Sequence, residues 1–242
     1  MPRRFFVPSI SAAELQILTG PEARHMRQVL RMQPGDRLTI FDGTGTDADA
    51  EILRFQDSDT GQGDAVLRII ARRQAANELL SPLTIATAVP KGDRLKWMIE
   101  KLTELGVTRY IPLLTERSVV DPREGKLERL KQTVIEAGKQ CGRSSLMEIG
   151  PVTPWASFLD SEIRRGSLWI AHPYGSTAGA ASIPDDPQPH VIAVGPEGGL
   201  TDSELQSATD AGAKLISLGH RILRIETAAL AAATLFGIAR EQ

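Results

Sequence analysis

The sequence predicts an α/β protein in two parts: a small β-rich domain, then a larger domain with a mostly parallel sheet covered by helices on both faces. Three observations carry this. Short apolar runs divided by glycine and polar turns fill residues 1–73. From Leu83 onward, strand-like runs alternate with amphipathic helical stretches. The chain has 242 residues, of which 41% are hydrophobic and 24% charged, a globular balance long enough for two domains.

In the first part, Arg3–Val7 reads as a short strand and Gly20–Arg31 as a helix with Glu22 in its first turn. Leu38–Phe41 is a strand running into the turn Asp42-Gly43-Thr44-Gly45. Ala48–Leu53 and Ala65–Ile70 are further strands, separated by the polar stretch Asp57–Gly63. The domain is placed at 1–73, a linker at 74–82 and the second domain at 83–242.

The second part opens with the strand Leu83–Val89. Asp93 is positioned to cap a helix that stops at Gly106, with Leu95, Ile99, Leu102 and Leu105 on one side. Tyr110–Leu114 is the next strand, followed by helices over Lys126–Gln140 and Pro154–Ile163. Three strands follow at Leu168–Ala171, Val191–Val194 and Lys214–Leu218, and helices start near Thr201 and Thr227 after the last two.

Charge and composition narrow the function classes. Net charge is −2, but residues 1–37 hold six arginines against three acidic residues, so a basic face is compatible with an acidic chain. No window approaches the roughly 20 apolar residues of a membrane span, and the N-terminus lacks the apolar core of a secretion signal. Cys141 is the single cysteine, so no internal disulfide forms and a reducing cytoplasm is the expected setting. A buried structural thiol is its expected role. His25, His172, His190 and His220 lack ligand spacing, and no metal site is expected.

Gly43-Thr44-Gly45-Thr46-Asp47-Ala48 matches a dinucleotide-binding pattern, but such a site needs a helix next. Residues 47–52 alternate as a strand, which predicts a hairpin turn instead. A stronger signal is Val191–Val194 followed by Gly195-Pro196-Glu197-Gly198-Gly199-Leu200, then Thr201 and Glu204 spaced as a capping box. These glycines allow a ligand to touch backbone, and loops at strand carboxyl ends are where open α/β sheets bind ligands. A second such loop is Leu218-Gly219-His220-Arg221-Ile222-Leu223-Arg224-Ile225-Glu226-Thr227, leading into an alanine-rich helix. Either loop taken alone also suits a plain strand-to-helix connection.

Together the two loops resemble the RsmE family of 16S rRNA uracil-N3 methyltransferases, in the SPOUT superfamily. The likeness covers nearly the whole chain. It includes Arg24-His25-Met26-Arg27-Gln28-Val29-Leu30-Arg31, the stretch from Lys91 and Arg94 through Ile99-Glu100-Lys101-Leu102-Thr103-Glu104-Leu105-Gly106-Val107, and Glu116-Arg117-Ser118. The chain departs from the family at Lys139, where an acid is usual, and at Met147, where proline is common.

The resemblance implies a SPOUT-type trefoil-knotted parallel-sheet domain preceded by a small β-rich, PUA-like barrel that binds RNA. It implies a cytoplasmic homodimer acting on 16S rRNA or the assembled small ribosomal subunit. S-adenosyl-L-methionine is the implied cofactor, held by Val194, Gly195, Pro196, Glu197, Gly198 and Gly199 in one loop. Leu218, Gly219, Ile222, Leu223, Arg224 and Thr227 hold it from the other. Uracil N3 is a poor nucleophile while protonated, so the site must take that proton or stabilise the charge spreading to O2 and O4. Arg224 is the expected charge-stabilising residue, and Glu197 acts either as base or as a cofactor-positioning group. Expected phosphate contacts come from Arg3, Arg4, Arg27, Arg31, Lys91, Arg94, Arg117 and Arg143. His25 suits either RNA contact or a partly buried core position. The rival readings are a non-catalytic RNA-binding or ribosome-assembly factor, and a SPOUT methyltransferase for another RNA position.

Overall fold

Alternating apolar residues in the first part of the chain make one side of a sheet, and the side chains they bury form its core. The computed structural model describes residues 3–56, 63–75, 77–120, 124–177 and 188–238. It divides into two units: Met1–Glu78 with Gly138–Leu146, and Leu79–Ala137 with Met147–Gln242.

The first unit carries β1 (Arg4–Phe6), β2 (Leu15–Leu18), α1 (Gly20–Arg24), β3 (Arg37–Phe41), β4 (Thr46–Gln56) and β5 (Asp64–Gln74). The sheet order is β1-β3-β4-β5-β2. β1 pairs parallel with β3, and the remaining pairs are antiparallel. Phe5, Met26, Leu38, Ile40, Ile52 and Leu67 fill its core. The helix expected over Gly20–Arg31 is a short α-helix that widens into a π-helical turn at His25–Val29. It closes with Leu30 N–H donating to His25 O at 3.0 Å. β2 is an edge strand whose Leu15 and Ile17 face outward, 49% and 52% exposed. β5 runs to Gln74, past the expected boundary at 73, because Arg73 is held across the ladder by Asp47 and Asp49. The expected polar loop falls largely on 57–62, outside the described residues.

Gly43-Thr44-Gly45 is a hairpin turn between antiparallel β3 and β4, not a cofactor loop. Thr44 N–H and Oγ1 both donate to Asp42 Oδ1, at 2.9 and 2.7 Å. The turn also receives Ser144–Leu146: Gly45 N–H donates to Ser144 O and Leu146 N–H to Gly43 O, at 3.1 and 3.0 Å. Polar side chains hold the same segment. Arg4 donates to Ser144 Oγ at 2.7 Å and pairs with Asp47 at 3.1 Å, while Ser144 Oγ donates to Asp47. Arg143 pairs with Glu78 at 2.7 Å. Lys139 meets Glu22 of α1 at 2.9 Å, so the basic residue at this position has an acidic partner within the same unit. Cys141, expected to be buried, is partly exposed, with its thiol directed at Gly138 O.

The second unit carries β6 (Leu83–Ala88), α2 (Arg94–Glu104), β7 (Arg109–Leu114), α3 (Glu124–Cys141, its last turn in the first unit), β8 (Glu148–Ile149), β9 (Thr153–Pro154) and α4 (Trp155–Glu162). It continues with β10 (Ser167–Thr177), β11 (His190–Val194), α5 (Asp202–Asp210), β12 (Lys214–Ser217) and α6 (Ile225–Ile238). The order is β12-β10-β11-β6-β7-β8, with β9 also on β7, and every pair is parallel. Strand alternation sorts the two faces. Leu168, Ile170, Val191 and Ala193 meet Trp155, Phe158 and Leu159 of α4 and Ala208 of α5. On the other face Trp169 and His190 pack on Phe236 of α6. Trp169 Nε1–H donates to His190 Nδ1 at 3.3 Å, making His190 a core histidine. Small alanines let α6 lie close to β6 and to α2. Asp93 occupies the N-cap position of α2 but makes no side-chain cap, because its own backbone is already helical (φ −79°, ψ −7°). Among the described residues, no helix is long and apolar enough to cross a membrane.

Candidate functional site

Because β10 lies between β12 and β11, the carboxyl ends of β11 and β12 and the middle of β10 open onto one cavity of about 360 Å³. Its wall comes from Ala171, His172 and Pro173 in the middle of β10, from Val194–Leu200 at the end of β11 and after it, and from Leu218, Gly219, Arg221, Ile222 and Leu223 after β12. Ile225 and Ala228, one turn apart at the start of α6, complete it. The volume lies within the roughly 300–1,000 Å³ range of small-molecule sites.

The loop after β11 is anchored on both sides. Thr201 caps α5 in the expected box: its Oγ1 accepts from Glu204 N–H, and Glu204 Oε2 accepts from Thr201 N–H at 2.9 Å. Glu204 Oε1 accepts from Glu116 N–H at 2.8 Å, tying the loop to the chain after β7. Arg117 donates to Gly198 O at 2.8 Å. Gly199 adopts φ +71°, where a side chain is strained, and the space beside its Cα is open. The loop after β12 bends at Gly219, φ +112°, again with open space beside it. Ser217 Oγ accepts from Gly219 N–H at 3.3 Å, and Ile222 is 98% exposed.

β10 contributes the part of the wall that sequence reasoning missed. Its pairing with β12 shifts register between Ala171 and Ser176, so His172 and Pro173 leave the ladder and reach the cavity wall. Gly175 lets the bulge close again: a Cβ there would stand 2.5 Å from the backbone of Ile216. Burial lowers the pKa of His172 from its ordinary value, favouring the neutral imidazole. The signal was present in the sequence as a polar His-Pro pair ending an apolar strand, a position where α/β sheets bind ligands.

The expected cofactor residues Val194, Gly195, Pro196, Glu197, Gly198, Gly199, Leu218, Gly219, Ile222 and Leu223 share this wall. Arg224 and Thr227 are exposed and lie outside it, because α6 turns Ile225 and Ala228 inward. Glu197 stands at the rim with Oε1 4.0 Å from Arg94 Nη2. Arg94 also pairs with Glu226 at 3.3 Å, so it links the start of α2 to the start of α6. Glu226 is buried, and its second oxygen has no protein partner among the described residues.

The expected RNA contacts divide by unit. In the first, Arg3, His25, Arg27 and Arg31 are exposed, and Arg27 lies over the Phe55 ring at 5.5 Å. Arg4 is half-buried in the Asp47–Ser144 network. Arg143, expected at the RNA surface, is buried against Glu78 instead, since its side chain is only 4% exposed. In the second unit Lys91 and Arg117 are exposed and Arg94 is engaged as described. Among the described residues no cluster of His, Cys, Asp or Glu is placed to hold a metal ion.

Comparison with known proteins places this geometry. Residues 77–237 match the RNA methyltransferase domain family, and residues 18–55 match the RNA methyltransferase PUA domain. The ribosomal RNA small subunit methyltransferase E of Synechocystis sp. is 36% identical over 218 residues, 87% of this chain and 69% of that protein. Its Bacillus subtilis namesake is 31% identical over 94% of this chain and 93% of its own length. Among solved structures, the Neisseria gonorrhoeae enzyme of that name, bound to S-adenosylmethionine, superposes with a TM-score of 0.85 at 30% identity, covering 98% of this chain and 97% of that one.

Proposed function

The chain belongs to the ribosomal RNA small subunit methyltransferase E family, and we propose that it methylates N3 of a uridine in small-subunit ribosomal RNA, using S-adenosylmethionine. The observation that carries this is the cradle itself: two glycine bends with open space beside them, facing apolar walls at the carboxyl edge of a parallel sheet. The residues fit the cofactor. Val194, Leu218, Leu223 and Ile225 supply flat apolar surface for a purine, and exposed loop backbone supplies polar contacts for ribose and amino-acid groups.

When bound, the cofactor supplies an electrophilic methyl group. The chain's part is to bind, orient and manage charge. Arg224, exposed beside the wall residues Leu223 and Ile225, is placed to donate to uracil O2 or O4 as negative charge spreads there. Glu197, held toward Arg94, positions the cofactor from the rim. N3 lies on the pairing edge, so the base must be unpaired or flipped out to enter. Arg3, His25, Arg27 and Arg31 of the PUA-bearing unit contact RNA phosphates, and so do Lys91 and Arg117 of the catalytic unit. The same reading includes the trefoil knot, a homodimer and a cytoplasmic site of action on ribosomal RNA or the small subunit.

The test is nucleoside mass spectrometry of ribosomal RNA from a deletion strain. Loss of N3-methyluridine, restored by the intact gene, is the expected result. Loss of a different methylated nucleoside would assign another RNA position. Unchanged nucleosides together with no calorimetric binding of S-adenosylmethionine would leave a non-catalytic RNA-binding factor.

A further inference from the structure

We propose that His172 is the group that accepts the N3 proton of the uridine during methyl transfer. The inference rests on the uracil-N3 reading above and deepens it. Position is the first argument. His172 lies in the bulge of β10, the strand between β11 and β12, and that bulge after Ala171 brings it onto the wall shared by both glycine loops. The close approach of Gly175 to Ile216 fixes where that bulge ends.

Protonation state is the second argument. Among the described residues, the charged residues on the same wall are Glu197 after β11 and Arg221 after β12. Burial lowers the pKa of His172. At neutral pH the ring is therefore neutral, and a neutral imidazole has one nitrogen able to accept a proton. Glu197 is the weaker choice, because its side chain is 43% exposed and lies beside the Arg94 guanidinium.

The step balances. The N3–H bond breaks as the N3–CH₃ bond forms. The proton goes to the imidazole, and the electrons of the old sulfur–carbon bond stay on sulfur. Bond formation at N3 makes its proton strongly acidic, so a weak neutral base suffices. The imidazolium, disfavoured by burial, then gives its proton to water and resets the site.

The test compares the parent with His172→Asn and His172→Gln, all checked for unchanged thermal unfolding. Turnover should fall by about 100-fold or more, the lower range for a lost general base. Calorimetric affinity for S-adenosylhomocysteine should stay within about threefold. The acid limb of the parent's kcat–pH profile should vanish in both variants. In the parent, the His172 imidazole, followed by NMR with S-adenosylhomocysteine bound, should titrate below an ordinary histidine. Retained turnover with an unchanged acid limb overturns the proposal, and so does an equal loss of affinity and turnover. If the parent itself makes no N3-methyluridine on ribosomal RNA, the function reading fails. If the parent makes it and the variants match it, only the role of His172 fails.

Discussion

The loops after β11 and β12 share a strand–glycine–helix plan and line the same cavity, yet they are held differently. The first is tied to the chain after β7 through Glu204, Glu116 and Arg117, and its helix begins in a complete capping box. The second is held locally by Ser217 at Gly219, has its helix start paired with Arg94 of α2 through Glu226, and carries Arg221, Ile222 and Arg224 outward. A rigid half presents backbone at fixed positions for a cofactor. The less tied half exposes side chains to a partner. An apolar side chain that is 98% exposed between two exposed arginines suits contact with an unstacked base and its phosphates.

The sharpest way to break this contrast is Glu204→Ala. It strands the buried Thr201 N–H and the Glu116 N–H that Glu204 now satisfies. The expected loss is about 3 kcal/mol, from two donors at roughly 1–3 kcal/mol each, measured by urea unfolding. A loss below 1 kcal/mol would mean that the first loop is not pinned. Next comes Gly219→Ala. There is room for the Cβ, so only backbone strain acts, at about 1–3 kcal/mol. Calorimetry should show weaker S-adenosylmethionine binding than for Gly199→Ala, because φ +71° lies nearer the left-handed helical region than φ +112°. The opposite ranking would reverse the assignment of which bend is the more demanding.

Arg117→Ala removes the donor to Gly198 O at a solvent-exposed site, so stability should change by under about 1 kcal/mol. Cofactor affinity should still drop several-fold as the loop loosens; equal affinity would show that backbone alone sets its shape. The smallest effect is expected for Ile222→Ser, within about 0.5 kcal/mol in stability because nothing is buried there. Its readout is RNA affinity, and an unchanged value would remove the second loop from the RNA-facing surface.

Local signals were legible where local physics suffices. The capping box at Thr201 and Glu204 forms as its spacing requires, and the hairpin at Gly43–Gly45 follows from the strand alternation after it. Asp93 failed as a cap because its own backbone is helical, which residue type alone does not reveal. The departure at Lys139 finds its partner 117 positions away, at Glu22. Arg143 read as a surface cation, and it became a buried strut because Glu78 encloses it.

By itself, the sequence determined the parallel α/β class, the two glycine loops and the helices that follow them, since periodicity, glycine and capping act within a few residues. Only the tertiary structure decided that β10 stands between β11 and β12, bringing His172 onto their shared wall and leaving Arg224 outside it. Strand order is set by backbone pairing between segments far apart in the chain, and no local pattern of residues records which strands become neighbours.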